Sequence, residues 1–369
     1  MKIASILGAR PQFIKVAPLC REFAKHPDVR HLIIHTDQHY DYSMSRVFFD
    51  ELGIAEPDYH LEVRSGTHGY QTGEMLKRVE KVLTQEKPDW VVVYGDTNST
   101  LAAALASVKM HIAVAHIEAG LRSFNRSMPE EINRVVTDHV SELLFCPTQT
   151  AVTNLQQEGI MQGVHLVGDI MYDSALFNVK LAARRSSILQ KLNLEAKDYA
   201  LVTVHRAENT ERSDRLMHIF RALEKIAQDG MKVVVPLHPR TRKKLKSLQL
   251  SLKNLQVIEP VSYLDMLLLE KQAKMILTDS GGVQKEAFFF EVPCVTLRNE
   301  TEWIETVESG WNVLADVDEE KIVSSVRISS VPSRAVKETF GNGQAAERIC
   351  GIFSEMSTRT ACCDTAASK

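Results

Sequence analysis

The residues best suited to chemistry fall where an apolar, β-branched run gives way to glycine and a charged group. Leu277-Thr278-Asp279-Ser280-Gly281-Gly282-Val283-Gln284-Lys285-Glu286 is the clearest case. A strand ends, Ser280-Gly281-Gly282 turns, and a helix starts, so free backbone N–H groups and the helix dipole can meet a diphosphate at close range. Glu286, one turn into that helix, can accept hydrogen bonds from ribose hydroxyls; the plainer reading is an N-cap with a glycine turn. The first apolar run leads into Gly8-Ala9-Arg10-Pro11-Gln12-Phe13-Ile14-Lys15. There Arg10 and Lys15 offer a clamp for phosphate oxygens, with a solvated helix start as the bland alternative for Lys15. The GxGxxG dinucleotide spacing is missing, so an NAD-type cofactor is not expected.

Acidic residues obey the same placement. Asp96 ends one run in Val93-Tyr94-Gly95-Asp96-Thr97, and Glu118 ends the next in His116-Ile117-Glu118-Ala119-Gly120-Leu121-Arg122. Glu130 and Glu131 open a helix in Met128-Pro129-Glu130-Glu131-Ile132-Asn133-Arg134. Neighbouring strand ends would gather such carboxylates for general acid–base work. Their structural alternatives are N-caps, a pair with Arg122, and dipole stabilisation for Glu130 and Glu131. His205, in Val204-His205-Arg206-Ala207-Glu208-Asn209, and His238, in Leu237-His238-Pro239-Arg240, also follow strands. Either can donate to a phosphate or move a proton. No metal site is expected: HExxH is absent, and His35 and His39 flank Thr36-Asp37-Gln38 without a third ligand. A GxSxG elbow and a cysteine nucleophile signature are absent too.

The elements that must position these groups alternate along the whole chain. Strands are predicted at Lys2–Leu7, Leu32–His35, Trp90–Tyr94, Ile112–Ile117, Leu143–Phe145 and His165–Val167. Amphipathic stretches such as Thr72–Gln85 and Glu130–Leu144 separate them. The pattern restarts with Tyr199–Val204, Lys232–Leu237, Gln256–Ile258, Met275–Thr278 and Cys294–Leu297. Two such runs predict an α/β chain of two Rossmann-like, doubly wound domains facing across a cleft, with the ligand at the C-terminal strand ends. The expected limits are 1–168 for an N-terminal domain carrying the catalytic carboxylates, 169–356 for a C-terminal domain carrying the diphosphate-facing glycine turn, and 357–369 for a flexible tail.

Composition narrows the classes. The chain has 369 residues, 44% hydrophobic and 25% charged, with a formal net charge of −3. That balance gives no electrostatic case for nucleic acid. The opening apolar run is too short for a signal peptide, and no run of about 18 apolar residues predicts a membrane span, so a cytoplasmic enzyme without membrane insertion is expected. Six cysteines show neither CxxC pairing nor a disulfide framework.

With these residues in view, the chain resembles the non-hydrolysing UDP-N-acetylglucosamine 2-epimerase family over all but its C-terminal stretch. The resemblance rests on Gly8-Ala9-Arg10-Pro11, Gly95-Asp96-Thr97, Glu118-Ala119-Gly120-Leu121-Arg122, Pro129-Glu130-Glu131, His205-Arg206 and Asp279-Ser280-Gly281-Gly282-Val283-Gln284. It implies the GT-B fold, a homodimer, and no metal or other cofactor. It also implies a route in which the hydrogen on carbon 2 is removed as UDP leaves carbon 1. UDP then adds back after the resulting 2-acetamidoglucal is reprotonated on the opposite face. Asp96, Glu118 and Glu130 match the family's catalytic carboxylates. Arg10, His205 and the Ser280-Gly281-Gly282 amides would hold charge on the leaving group. Glu286 and Arg298 match its ribose- and nucleotide-contacting positions.

Two departures stand out, and the first bears on the substrate. Thr301-Glu302-Trp303-Ile304-Glu305 stands where the UDP-N-acetylglucosamine enzymes usually read Thr-Glu-Arg-Pro-Glu. With Gln284-Lys285-Glu286-Ala287-Phe288-Phe289-Phe290, it is similar to the branch acting on UDP-2,3-diacetamido-2,3-dideoxyglucuronate for surface polysaccharides. Many members have glycine before the Gln-His pair, whereas Asp37 precedes Gln38-His39 here. The alternative substrate is UDP-N-acetylglucosamine; remoter alternatives are a hydrolysing relative and a GT-B glycosyltransferase.

Overall fold

The computed structural model describes residues 1–38, 49, 51–250, 252–328 and 339–367. The sequence candidate His39 lies outside them, as does the side chain of Arg10. The chain divides into two compact units, one formed by Met1–Ser174 with Lys337–Lys369 and the other by Ala175–Val336.

The first unit is built on a seven-stranded sheet. Its strands are β1 (Lys2–Leu7), β2 (Arg30–His35), β3 (Tyr59–His60), β4 (Trp90–Tyr94), β5 (Ala113–Ile117), β6 (Leu143–Cys146) and β7 (Val164–Leu166). They run in the order β3-β2-β1-β4-β5-β6-β7 and every pairing is parallel. Val91, Val92 and Val93 of β4 are fully buried, as a parallel strand covered on both faces requires. Small residues on the helix Asn98–Lys109 let it pack closely against the helix His68–Glu86. Its Ala102, Ala103 and Ala104 lie in one apolar cluster with Met75, Val79 and Leu83.

The second unit repeats the plan with β8 (Tyr199–Thr203), β9 (Lys232–Pro236), β10 (Leu255–Ile258), β11 (Met275–Thr278), β12 (Cys294–Thr296) and β13 (Asn312–Leu314). The order is β10-β9-β8-β11-β12-β13, again parallel throughout. The short edge strands β3 and β13 are not among the strands predicted from the sequence.

In each sheet the strand order reverses once, between β1 and β4 and between β8 and β11. The crevice outside the strand ends at such a point is where doubly wound sheets bind ligands. Gly8 follows β1, Gly95-Asp96 follows β4, His205 lies just beyond β8, and Asp279-Ser280 follows β11. The sequence motifs therefore occupy the two switch points.

The C-terminal segment departs from the expected limits. Residues 339–367 belong to the first unit, and the helix Ala345–Ala367 continues through most of the expected tail. Phe353 of that helix packs at ring-centroid distances of 6.1 Å on Phe23, 5.5 Å on Trp90 and 5.8 Å on Phe145. The Asp173 carboxylate accepts the amides of Ala345 (3.1 Å) and Ala346 (2.9 Å), satisfying donors that a helix start leaves open. At Gly168 a Cβ would stand 2.9 Å from the Phe340 carbonyl oxygen, and φ is +93°, so glycine permits this return crossing. The boundary between units falls after Ser174 rather than at 168.

Candidate active site

In the first unit the site begins with Gln12, one turn into the helix Arg10–Phe23. Its Oε1 accepts the amides of Gly8 (2.7 Å) and Ala9 (3.0 Å). Its Nε2 donates to the Tyr94 carbonyl (2.9 Å) and to Thr97 Oγ1 (3.0 Å). One buried amide thus ties the β1 loop to the β4 loop. A Cβ on Gly8 would stand 2.0 Å from Thr36 Oγ1 and 2.4 Å from Ser99 Oγ, so only glycine fits there.

On the same helix, Lys15 is buried and its ammonium forms an ion pair with Glu118. The Lys15 charge, expected to clamp phosphate, is engaged by a carboxylate at the end of β5. Glu118 has φ +71°, a left-handed conformation that costs a non-glycine residue of the order of 1–3 kcal/mol and is held only by its surroundings. Its amide and that of Ala119 donate to the Phe145 carbonyl at 3.1 and 3.2 Å, which fixes the turn.

Asp96 is partly exposed, and its carboxylate pairs with buried Arg134. Arg134 also reaches Glu131 (3.1 Å), while Asn133 donates to the Asp96 carbonyl (2.9 Å). Glu130 and Glu131 separate cleanly. Glu131 is buried and accepts the amides of Ser123 and Phe124, each at 2.9 Å, so it braces the preceding loop. Glu130 is exposed in the first turn of the helix Pro129–Val140.

Arg122 pairs with neither Asp96 nor Glu118. Its partners are Asp138 (2.7 Å) and Glu158 (2.6 Å). Asp138 also holds His116 Nδ1 (2.7 Å), and His116 Nε2 donates to the Gly95 carbonyl (2.7 Å). Both ring nitrogens face oxygen atoms, so the ring is held at both ends. Burial pushes the Asp138 carboxyl up, but the hydrogen bond and charge of His116, with Arg122, outweigh it and leave it below the usual carboxylate range. This buried chain fixes the loops that carry Asp96 and Glu118.

In the second unit Asp279 organises the β8 loop. It is fully buried and accepts the amides of His205 and Arg206, both at 3.1 Å, and the Asn209 side chain at 3.1 Å. The His205 ring is left exposed, with Nδ1 3.3 Å from Asp279. Ser280 caps the helix Gly281–Phe289 by accepting the Val283 amide, and Gly281 and Gly282 form its first turn. Glu286, buried, meets the Tyr263 hydroxyl at 3.1 Å. His238 is exposed after β9.

Arg298 is buried and bidentate to Glu302, at 3.1 and 3.2 Å. Burial raises the Glu302 carboxyl, but Arg298 and then Arg206 outweigh it and hold it below its ordinary value. Trp303 lies flat against buried Lys285, whose ammonium is 4.0 Å from the ring centroid. A Cβ on Gly281 would be 3.4 Å from Trp303 Nε1 and 3.7 Å from Glu302 Oε2. The residues that distinguish the sequence thus border the glycine turn.

A family model for UDP-N-acetylglucosamine 2-epimerase matches residues 21–354. The chain belongs to this family. It is a 2-epimerase, an isomerase, and its two doubly wound parallel sheets are those of the GT-B-like fold. It is 53% identical over 359 residues to a UDP-N-acetylglucosamine 2-epimerase homolog of Methanococcus maripaludis, covering 96% of this chain and 99% of that one. It is 49% identical over 363 residues to the UDP-2,3-diacetamido-2,3-dideoxy-D-glucuronate 2-epimerase of Pseudomonas aeruginosa, covering 96% of this chain and all of the other. The crystal structure of Methanocaldococcus jannaschii UDP-GlcNAc 2-epimerase in complex with UDP-GlcNAc and UDP superposes with a TM-score of 0.87 at 47% identity. It covers 96% of this chain and all of its own.

Among the epimerase residues singled out from sequence, the structure brings Lys15 to Glu118 and sets Gly95-Asp96 on the neighbouring strand end. In the other unit it joins His205 to Asp279 and the glycine turn to Trp303. The sequence reading missed Gln12, Arg134 and Asp138. The reach of Gln12 across two loops has no local signal in the sequence, and Asp138 acts on residues 16 to 22 positions away.

Proposed function

We propose that the epimerase inverts carbon 2 of a UDP-2-acetamido sugar by eliminating UDP and adding it back, and that the sugar is 2,3-diacetamido-2,3-dideoxyglucuronate. A carboxylate takes the carbon 2 proton. The electron pair of that C–H bond forms the carbon 1–carbon 2 double bond, and the carbon 1–oxygen bond breaks with its pair leaving on UDP. Protonation from the opposite face and re-addition of UDP reverse the sequence. Carbon 2 has no adjacent carbonyl, so loss of its proton is feasible when coupled to departure of a stabilised diphosphate.

The observation that carries this reading is the buried Lys15–Glu118 pair at the β5 end, beside Asp96 at the β4 end. Pre-positioned, ionised carboxylates are what proton abstraction needs. In this reading Asp96, Glu118 and Glu130 share the acid–base work, and Lys15 positions Glu118. Arg10, His205 and the Ser280-Gly281-Gly282 amides hold the diphosphate, a helix N-terminus being suited to anions. Glu286, Arg298 and His238 serve the nucleotide, with Arg298 acting through Glu302. A homodimer is part of the proposal and is measurable by light scattering.

For the sugar, support comes from Trp303 beside the glycine turn and from the likeness to the Pseudomonas aeruginosa enzyme. UDP-N-acetylglucosamine is the second reading, favoured by the likeness to the Methanocaldococcus jannaschii complex. Comparing kcat/KM for the two UDP-sugars tests the choice. Preference for the diacetamido-uronate is expected, and equal or better turnover of UDP-N-acetylglucosamine would overturn that part of the proposal.

A further inference from the structure

A second group of donors lies at the opposite edge of the first sheet, on β2 and β3. His35 is the last residue of β2, and the parallel register sets it directly beside His60, the last residue of β3. Asp37 follows two residues on with φ +60°, so its chain turns back and lays its carboxylate against both rings. Asp37 Oδ1 meets His35 Nδ1 and lies 3.2 Å from His60 Nδ1. These three ligand atoms all fall within 4.8 Å of one another. The sequence reading found no third ligand for His35 because His60 is remote in sequence and becomes adjacent only through an edge strand too short to predict.

We infer that His35, Asp37 and His60 form a binding site for a divalent transition-metal ion of the zinc class. Two imidazoles and one carboxylate are the donor set that zinc, cobalt and nickel favour over magnesium or calcium. The donors are held rather than merely near. The His35 ring is buried and stacked on Phe13, with centroids 5.1 Å apart. Its Nδ1 faces the Asp37 carboxylate, and a bound ion would take the place of the hydrogen shared between them. Asp37 Oδ2 accepts the Glu62 amide at 2.7 Å, the kind of outer tether that orients a ligating carboxylate. Glu62 is itself left-handed, with φ +52°. The His60 side chain is 38% exposed.

Asp37 is the informative residue. Its positive φ suits glycine and costs other residues. Aspartate accepts that cost here and adds the carboxylate. A bound ion would pin the 36–38 loop to the β3 edge. Gln38 would transmit that restraint to the Asn98–Lys109 helix, since its Oε1 accepts the Ser99 amide (3.0 Å) and hydroxyl (2.7 Å).

The test uses untagged, chelator-treated enzyme. Zn(II) is titrated by calorimetry, and Co(II) by its visible d–d absorption. One equivalent should bind, without the intense near-ultraviolet bands that thiolate ligands would give. Asp37→Gly should remain folded, because glycine suits this φ. It should bind Zn(II) more weakly by more than the roughly 10–100-fold that loss of an outer-shell partner costs. His60→Ala should behave alike. No saturable binding in the wild type overturns the proposal, as do thiolate bands or an unchanged affinity in Asp37→Gly.

Discussion

Lys15 and Glu118 form a buried ion pair, and the backbone of Gly95 passes directly over it. A Cβ on Gly95 would stand 2.9 Å from the Lys15 ammonium and 3.1 Å from Glu118 Oε2, and Gly95 has φ +61°. The pair, the strand ends of β4 and β5 and the helix Arg10–Phe23 therefore form one fitted assembly.

Removing one member of a buried pair leaves the other charge uncompensated, at a cost of about 3–5 kcal/mol. Lys15→Met should lower thermal stability markedly and slow the reaction. Glu118→Gln keeps the shape but leaves the Lys15 charge buried, so it too should lose stability, and it should abolish exchange of the carbon 2 hydrogen while UDP binding stays near wild type. Unfolding curves, UDP calorimetry and isotope exchange on both variants check this. Wild-type exchange in Glu118→Gln would remove Glu118 from the chemistry.

Gly95→Ala places a methyl group against the pair and forces an alanine into a left-handed conformation. Strain of that kind costs of the order of 1–3 kcal/mol. Where that strain is carried into the transition state, turnover should fall by about fivefold to a hundredfold, with UDP affinity little changed, because each 1.4 kcal/mol is about a factor of ten in rate. A Gly95→Ala enzyme with normal kcat would show that the fit over Lys15 and Glu118 does not matter to the reaction.

Asp279 gathers the His205 and Arg206 amides and the Asn209 amide group. Asp279→Ala orphans these donors at about 1–3 kcal/mol each where they are buried. The variant should bind UDP more weakly by calorimetry, while Asp279→Asn, which keeps one acceptor oxygen, should lose less. Equal affinity in all three proteins would separate the β8 loop from nucleotide binding.

Much of this was legible from residue types. Parallel strands announce themselves as short apolar runs such as Lys2–Leu7 and Met275–Thr278, so every strand but β3 and β13, and the motifs at the strand ends, are legible in the sequence. Three things could not. The return of residues 339–367 to the first unit depends on Phe353 meeting Phe23, Trp90 and Phe145, which no periodicity encodes. Lys15 looked like a phosphate ligand because its partner Glu118 is 103 positions away. The roles of Glu130 and Glu131, alike in sequence, divide only once the loop Ser123–Phe124 folds back over the second of them.

The Asp173 carboxyl is pushed up to about 6, chiefly by burial, against the opposing pull of the Ala346 and Ala345 amides. A raised folded-state value means that, between its ordinary 3.8 and about 6, the unfolded chain has released the proton while the folded chain keeps it. Stability from this group is therefore full below the lower value and is lost as pH rises through the higher one. The loss is at most about 3 kcal/mol. Asp173→Asn should flatten that part of the pH–stability curve. Parallel curves for the two proteins in urea unfolding between about pH 4 and pH 7 would contradict the assignment.

The most direct test of the epimerase account is proton NMR of the wild-type enzyme in heavy water with UDP-2,3-diacetamido-2,3-dideoxyglucuronate and, separately, UDP-N-acetylglucosamine. The account predicts deuterium at carbon 2 of the UDP-sugar and a mixture of two carbon 2 epimers, with faster incorporation into the diacetamido-uronate. Free sugar with UDP and no second UDP-sugar epimer, or no deuterium at carbon 2 of either substrate, would contradict it.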